Sequence, residues 1–136
     1  MNYMTIKSEE GSAMLEMAII LPLFVMLIMG VVEFSRVLSV KQVITNAARE
    51  GARAGAVDLD NTGALSKALQ VSTNYIQSSG VEIQPVIITP SFVLAGGSSA
   101  LKVVIDYDYN SVLTTFIPGI PAQFTLESAA IMRRES

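Results

Sequence analysis

Few residues in this chain could carry out chemistry, and none of them is a histidine or a cysteine. Without these two residue types, catalytic triads built on His or Cys, thiol redox centres and most zinc sites are excluded. Ser, Asp, Glu, Lys and Tyr remain, but no motif places a nucleophile beside a base. We therefore predict that the chain is not an enzyme and needs no cofactor, and we give little weight to a membrane-tethered hydrolase.

One group of oxygen-bearing side chains, Asp106, Asp108 and Asn110, has the alternating spacing that places residues on one side of a β-strand. Oxygen ligands of this kind suit calcium. No further oxygen ligands follow at loop spacing, so we interpret the three residues as a solvated strand face. The sequence predicts no metal site.

The composition points towards a membrane. Of 136 residues, 51% are hydrophobic and only 15% are charged, whereas about a quarter of the residues in a typical soluble domain are charged. The net charge of −3 argues against nucleic acid as a partner, because nucleic-acid binders usually present a basic face.

The apolar residues are concentrated in a run of sixteen residues without a charge, from Met17 to Val32, with Glu16 before it and Glu33 after it. Extended back to Ser12, the run reaches about the 20 residues that span a bilayer as a helix. A buried core helix is the alternative, but too little chain follows to bury it. A cleaved signal peptide is disfavoured because no small-residue cleavage site follows the run.

The rest of the chain predicts a small α+β domain. The first helix is expected to continue in water to Val57, since apolar residues recur at three- and four-residue spacing. A second helix is predicted over residues 63–79, with Leu65, Leu69, Ser72 and Ile76 on its buried face. Strands are predicted over residues 81–89, 101–109 and 124–132, in an antiparallel sheet. Alternation in the second of these places its apolar residues on one face, namely Leu101, Val103, Ile105, Tyr107 and Tyr109. Pro85 indicates that the first strand lies at an edge.

The junction before the apolar run carries the first informative motif, with Gly11 and Ser12 followed by a lone carboxylate at Glu16. One interpretation is structural: Glu16 reaches water at the membrane surface, and Gly11 is an ordinary loop residue. The other is that the Gly11–Ser12 bond is cut and Ser12 acquires a positively charged amine. Glu16 would then be its counter-charge, on the same or a neighbouring chain, and would fix the axial register of packed helices.

The second motif is a ridge of small residues near the end of the long helix. Glycine in a helix costs nearly 1 kcal/mol relative to alanine, so helix propensity does not explain it. Close packing against the sheet or against another subunit explains the spacing better. The predicted packing residues are Ala47, Ala48, Gly51, Ala52 and Gly55.

These motifs resemble those of the TadE-like family, pilin-related proteins of the tight-adherence (Tad) pilus system. The matching segments are GSAMLEMAIILP from Gly11, the pair Glu33-Phe34, NAAREGARAGA from Asn46, Tyr107-Asp108-Tyr109, and the closing AIMRRE from Ala130.

The resemblance implies a pilin-like fold and a processing event. A prepilin peptidase would cut after Gly11, and Glu16 would be the pilin-type glutamate used in processing or assembly. The implied organisation is a leader at 1–11, a transmembrane helix at 12–33, its soluble continuation at 34–57, and a small α+β domain at 58–136. Leaders of this family are usually basic, whereas Ser8-Glu9-Glu10 precede Gly11 here.

The resemblance also implies partners and a location. The partners are the prepilin peptidase, the major pilin, other minor pilins, the inner-membrane Tad assembly machinery and the lipid bilayer. The C-terminal domain is expected outside the cytoplasmic membrane, and the resemblance also allows a place in the extracellular pilus. The count of Lys and Arg around the apolar run favours the opposite orientation. The alternative is an uncleaved, single-pass anchored protein that binds a partner or serves the assembly platform without joining a fibre.

Overall fold

The computed structural model describes residues 5–115 and 119–134, and the side chains of residues 11–114 and 119–134. Its two helices are α1 (Thr5–Ala56) and α2 (Asn61–Ser78), and a short 3-10 turn lies at Leu113–Thr115. The three strands are β1 (Val86–Ala95), β2 (Ser98–Asn110) and β3 (Gln123–Arg133). This confirms the predicted α+β class, with a long N-terminal helix, a second helix and a three-stranded antiparallel sheet. The chain forms two compact units, Met1–Ser35 and Arg36–Ser136, which divide within α1.

The first helix begins earlier than the sequence indicated. We expected it to start near Ser12, but α1 is helical from Thr5 and runs through Gly11 and Pro22. A glycine inside a helix costs only about 1 kcal/mol, which an adjoining long helix tolerates. Residues 1–4 of the expected leader lie outside the described residues, as do the side chains of residues 5–10.

The second helix has clear boundary signals. The Asp60 side chain accepts a hydrogen bond from the Gly63 amide at 2.8 Å, which is a standard N-terminal cap. After the last turn, Gly80 adopts a positive φ of 70°, as is common just beyond a helix end. The helix therefore starts two residues before the predicted Gly63 and ends one residue before Ser79.

The buried face of α2 differs from the predicted one at two of its four residues, each displaced by one position. Its buried residues are Ala64, Ala68, Ser72 and Ile76. Ser72 and Ile76 were expected, but Leu65 is only partly buried and Leu69 is exposed. Alanines replace leucines at the contact because α2 lies so close to α1 that only small side chains fit between the helices.

The sheet has the order β1-β2-β3, with both neighbouring pairs antiparallel. The turn between β1 and β2 is Gly96-Gly97, both at positive φ, which suits a two-residue hairpin. The predicted first strand, 81–89, was wrong by five residues, because Val86 pairs with Tyr107 and this turn sets the register. Pro85 precedes the strand, and Pro90 lies within it. A proline is tolerated there because β1 is an edge strand.

The core of the Arg36–Ser136 unit lies between the sheet and its helices. Leu101, Val103 and Ile105 of β2 are fully buried, and they form one hydrophobic cluster with Ile44 and Ala48 of α1. This confirms the inward face predicted for β2. Polar contacts add to the attachment of β3: Ser128 Oγ donates to Thr45 Oγ1 at 3.0 Å, and Lys41 Nζ donates to the main-chain oxygen of Glu127.

Candidate processing and assembly site

The apolar segment of α1 is not buried by the part of the chain that the structure describes. Residues 11–32 are exposed or, at Met29 and Gly30, half-exposed. The most apolar 18-residue window in α1 has a mean hydropathy of 2.6, and none of that window is buried. A core helix of a soluble protein would be buried, so this exposure favours a segment that is covered by lipid.

The candidate processing bond lies at the start of this segment. Gly11 and Ser12 are both exposed and helical. A Cβ atom built at Gly11 would meet no atom within 4 Å. Packing within the described chain therefore does not require glycine at this position. A requirement for glycine here would have to come from another molecule.

Glu16 lies on the same face of α1 as Ser12, since the two residues are four apart. Its side chain is exposed, and it has no salt-bridge partner among the described residues. A charge liberated at Ser12 would appear about one helical turn away from this carboxylate. The arrangement allows Glu16 to act as a counter-charge for an amine on its own chain or on a neighbour.

Glu33, at the other end of the apolar run, is buried to 8% relative exposure. In the sequence, Glu33 marks the end of the run and belongs to the Glu33-Phe34 pair, but neither feature indicates that it is buried. A carboxylate is rarely buried to this extent unless it is partnered. The two glutamates that delimit the segment therefore occupy opposite environments.

The ridge of small residues contacts α2. Ala47, Ala48, Gly51, Ala52 and Gly55 are all buried. A Cβ at Gly51 would lie 2.8 Å from the main-chain oxygen of Ala68, and one at Gly55 would lie 2.6 Å from that of Ala64. The Ser72 hydroxyl donates to the Ala47 carbonyl at 3.1 Å across the same interface. The close contact at the ridge is made within the subunit, by α2 and, at Gly55, also by Leu101 of β2; the sheet was one of the two surfaces expected from the spacing.

The charges flanking this ridge face solvent. Arg53 Nη2 lies 2.5 Å from Glu50 Oε1, a pairing that is common for opposite charges three residues apart in a helix. The guanidinium of Arg53 donates hydrogen bonds to Glu50 and thereby lowers the pKa of that carboxyl. Both side chains are largely solvated, so the pair contributes little to stability.

Arg134 follows β3 and is half-buried, although charged residues close to a chain end are ordinarily solvated. Its guanidinium donates to Asn61 Oδ1 at 2.5 Å and to the carbonyls of Asp58 and Leu59 at 2.7 and 3.0 Å. It also lies 5.0 Å from the centre of the Phe92 ring. The residue after β3 therefore holds the loop between α1 and α2.

We expect Arg134→Ala to lower the free energy of unfolding by about 1–2 kcal/mol, because several charge-assisted hydrogen bonds are lost at a partly solvated site. Arg133→Ala is the matched control and is expected to cost under about 0.5 kcal/mol. Thermal unfolding of both full-length variants in detergent measures the difference. Equal stability of the two variants would contradict the role given to Arg134.

The comparisons with known proteins decide how this segment is classified. The family model described as TadE-like protein matches residues 11–53, about a third of the chain. The chain carries a TadE-like segment. The resemblance expected from the motifs is confirmed, and the segment begins at Gly11 and contains Ser12, Glu16 and Glu33. No curated protein and no solved structure matches the chain.

The family match includes four of the five ridge residues, from Ala47 to Ala52, whereas Gly55 lies beyond the match. The α2 helix and the sheet that cover the ridge lie wholly outside it. Among the described residues, no group of three or more acidic side chains is placed to hold a metal ion. The features of this chain that suggest a function are therefore an anchor, a junction and packing surfaces.

Proposed function

We propose that the chain is a membrane-anchored minor pilin or pseudopilin that takes part in assembling a Tad-type pilus. The observation that carries the proposal is the TadE-like match, which begins at Gly11 and covers the exposed apolar segment. The TadE-like family and an N-terminal apolar helix fit a membrane protein associated with the Tad pilus. The peptidase step, the role in assembly and the orientation are the parts that we add.

The first step of the proposed mechanism is hydrolysis of the Gly11–Ser12 peptide bond by a prepilin peptidase. Hydrolysis releases the residues up to Gly11 and leaves a protonated amine on Ser12. Both residues are exposed, which is compatible with access by a peptidase. The remaining chain would stay anchored, since the apolar run from Met17 to Val32 is left intact.

The second step is association of membrane helices, with Glu16 setting the register. A carboxylate costs about 2.5–3.5 kcal/mol at the centre of a membrane helix, and less near the headgroups. An amine on a neighbouring Ser12 would offset this cost in only one axial alignment. The pair would therefore select the alignment more than it would add stability.

Lateral contacts between the membrane helices of neighbouring subunits would use the apolar segment and not the small-residue ridge. The ridge is covered by α2, with backbone oxygens of Ala64 and Ala68 within 3 Å of where side-chain atoms would lie. By contrast, none of the residues that the structure describes buries residues 11–32. If the ridge residues of α1 packed against another subunit, α2 would first have to dissociate from α1.

The proposed partners follow from the same family. They are a prepilin peptidase, the major pilin, other minor pilins and the inner-membrane assembly machinery. The proposed location is the cytoplasmic membrane, with the Arg36–Ser136 unit outside the cytoplasm. The lipid bilayer covers the apolar segment.

A second function is favoured by one observation, that α1 is helical on both sides of Gly11. The helix around this bond must unwind before a protease can bind the segment in an extended conformation. If it is not cut, the chain would be a single-pass anchored protein that binds a partner or serves the assembly platform. The N-terminus of the native protein distinguishes the two.

Deletion of the gene for this chain is expected to abolish or strongly reduce surface filaments in its source organism, and the wild-type chain should restore them.

The orientation is tested by labelling a single cysteine. Leu59 is 81% exposed and no native cysteine competes, so Leu59→Cys reports orientation. A membrane-impermeant maleimide should label this cysteine in cells whose outer layers are permeabilised and whose cytoplasmic membrane is intact. Normal filaments in the deletion strain would contradict the proposal, and a protected Leu59→Cys would contradict the orientation.

A further inference from the structure

The side of the sheet that faces away from the core is uncovered. We call it the outer face, and it consists of the outward residues of all three strands. Those that form the proposed surface are all at least partly exposed, whereas Ala100, which lies between Val93 and Arg133, is fully buried. The members are Ile87, Thr89, Ser91 and Val93 of β1, Lys102, Val104, Asp106 and Asp108 of β2, and Thr125, Glu127, Ala129, Ile131 and Arg133 of β3.

Charges on the outer face are separated along the strands. Asp106 and Glu127 are directly opposite each other on β2 and β3, and Asp108 lies two residues further along β2. The cations Lys102 and Arg133 lie towards the other end. Since a strand rises about 3.4 Å per residue, Lys102 and Asp106 are about 13 Å apart and do not pair within the chain. Across the described residues, these five side chains form no salt bridge.

The middle of the outer face is apolar. Val104 pairs with Ala129 on β3 and with Thr89 on β1, so this row contains no charge. Ile131 and Ile87 flank the row and are 51% and 63% exposed. The face therefore has an acidic end, an apolar middle and a basic end. Like charges placed directly opposite, as at Asp106 and Glu127, are unfavourable without an external partner.

We propose that the outer face binds the outer face of a second copy of this chain. The two copies would be related by a twofold axis that crosses the strands at about right angles near Val104. Such an axis reverses the strand direction, so Asp106 of one copy faces Lys102 of the other, and Asp108 lies near Arg133. An axis parallel to the strands would place the acidic ends together. The proposal does not depend on a role in a pilus.

Other occupants fit the charge pattern less well. The face carries three carboxylates and two cations, so an anionic lipid surface would meet net repulsion. A uniformly acidic or basic partner would match one end and be repelled by the other. A second copy supplies both opposite ends by symmetry.

The size of the face sets the conditions under which the copies associate. Three strands about 4.8 Å apart and about 27 Å of strand length give roughly 400 Å² per copy. The total of roughly 800 Å² is smaller than the 1,200–2,000 Å² of stable interfaces. The complex is therefore weak in dilute solution and forms between copies held at high local concentration, as on one membrane.

Cysteine cross-linking of the full chain in its native membranes tests this arrangement, because the chain has no native cysteine. Val104→Cys places one thiol at the twofold axis, and Leu59→Cys is the exposed control outside the sheet. A short bis-maleimide is the appropriate reagent, since facing sheets lie about 10 Å apart and a disulfide needs Cα atoms within about 7 Å. We expect a dimer adduct from Val104→Cys at a yield several times that of Leu59→Cys.

Charge reversal in the Val104→Cys background tests the predicted pairing. Lys102→Glu replaces two attractive contacts with two repulsive ones, and it should lower the adduct yield at least about fivefold. Adding Asp106→Lys should restore the yield, because the reversed charges again face each other between copies. The thermal unfolding midpoint of each variant shows whether it is folded.

Four results would overturn the proposal. They are absence of the Val104→Cys dimer, equal yields from Val104→Cys and Leu59→Cys, adducts with a different protein in place of the dimer, and failure of Asp106→Lys to rescue a folded Lys102→Glu variant. The third result would show that the outer face binds another partner. None of these results bears on cleavage after Gly11, so the proposed function is tested separately.

Discussion

Replacing Gly51 with alanine is expected to lower the free energy of unfolding by about 2 kcal/mol, although alanine is the better helix former. The new Cβ would overlap the Ser72 hydroxyl and lie 2.8 Å from the main-chain oxygen of Ala68. Overpacking of this kind typically costs about 1–3 kcal/mol and occasionally more. Because the new atom meets two groups at once, we expect the upper end of that range, which exceeds the propensity gain of about 1 kcal/mol by about 2 kcal/mol. The unfolding midpoint of the full-length protein in detergent should fall by roughly 10 °C.

Two variants make this result interpretable. Gly30→Ala has open space at the new atom and should leave the midpoint unchanged. Ser72→Ala added to Gly51→Ala removes the hydroxyl but leaves the Ala68 carbonyl, so only part of the loss should return. A Gly51→Ala protein as stable as the wild type would mean that α1 and α2 do not approach as closely as described.

Glu16→Ala is expected to leave membrane insertion intact and to reduce pilus assembly severely. Removing an exposed carboxylate from an apolar helix makes insertion easier, by less than the 2.5–3.5 kcal/mol expected at the bilayer centre. Assembly would lose the group that selects the axial alignment of packed helices. The measurement is the amount of filament per cell, together with the amount of the chain in the membrane fraction.

Glu16→Gln is the matched control for charge, because it keeps the size and hydrogen-bonding capacity of the side chain. A loss of filaments in both variants, at normal membrane levels, would support a requirement for negative charge. Filaments at wild-type levels in Glu16→Ala would remove Glu16 from the mechanism. A loss of the protein from the membrane would place the effect at insertion.

Periodicity was sufficient to predict the elements but not which face of α2 is buried. Leu65 and Leu69 have the spacing of a buried face, and on hydrophobicity alone they are better candidates than Ala64 and Ala68. The choice was made by a distance that no local pattern gives, namely how closely α2 approaches α1. The glycines at positions 51 and 55 were the available signal, because close approach on one helix requires small residues on the other.

The boundaries of β1 were missed for a similar reason. Val81 and Ile83 are strand-forming residues, but the register of the hairpin is set at its other end by Gly96-Gly97. Ala95 pairs with Ser98 next to the turn, and counting back along β1 from this pair places Val86 opposite Tyr107. The predicted alternation of β2 was correct because that strand is central, with one face on the core and one exposed.

Of the candidate site, the sequence predicted the positions but not their environments. The exposure of Gly11, Ser12 and Glu16 is what an anchor outside a protein core requires. The contacts of Arg134 are with residues distant in the chain, and neither local charge nor spacing indicated that Glu33 is buried. The contact of the ridge with α2 was equally open, since packing against another subunit would have the same sequence pattern.

The N-terminus of the native protein tests the central claim most directly. Intact mass and N-terminal sequencing of the chain purified from its native membranes would identify the first residue. Processing by a prepilin peptidase predicts a chain that begins at Ser12 and lacks the mass of residues 1–11. A chain that still carries Met1 to Gly11 would contradict the processing step and favour an uncleaved, membrane-anchored binding protein.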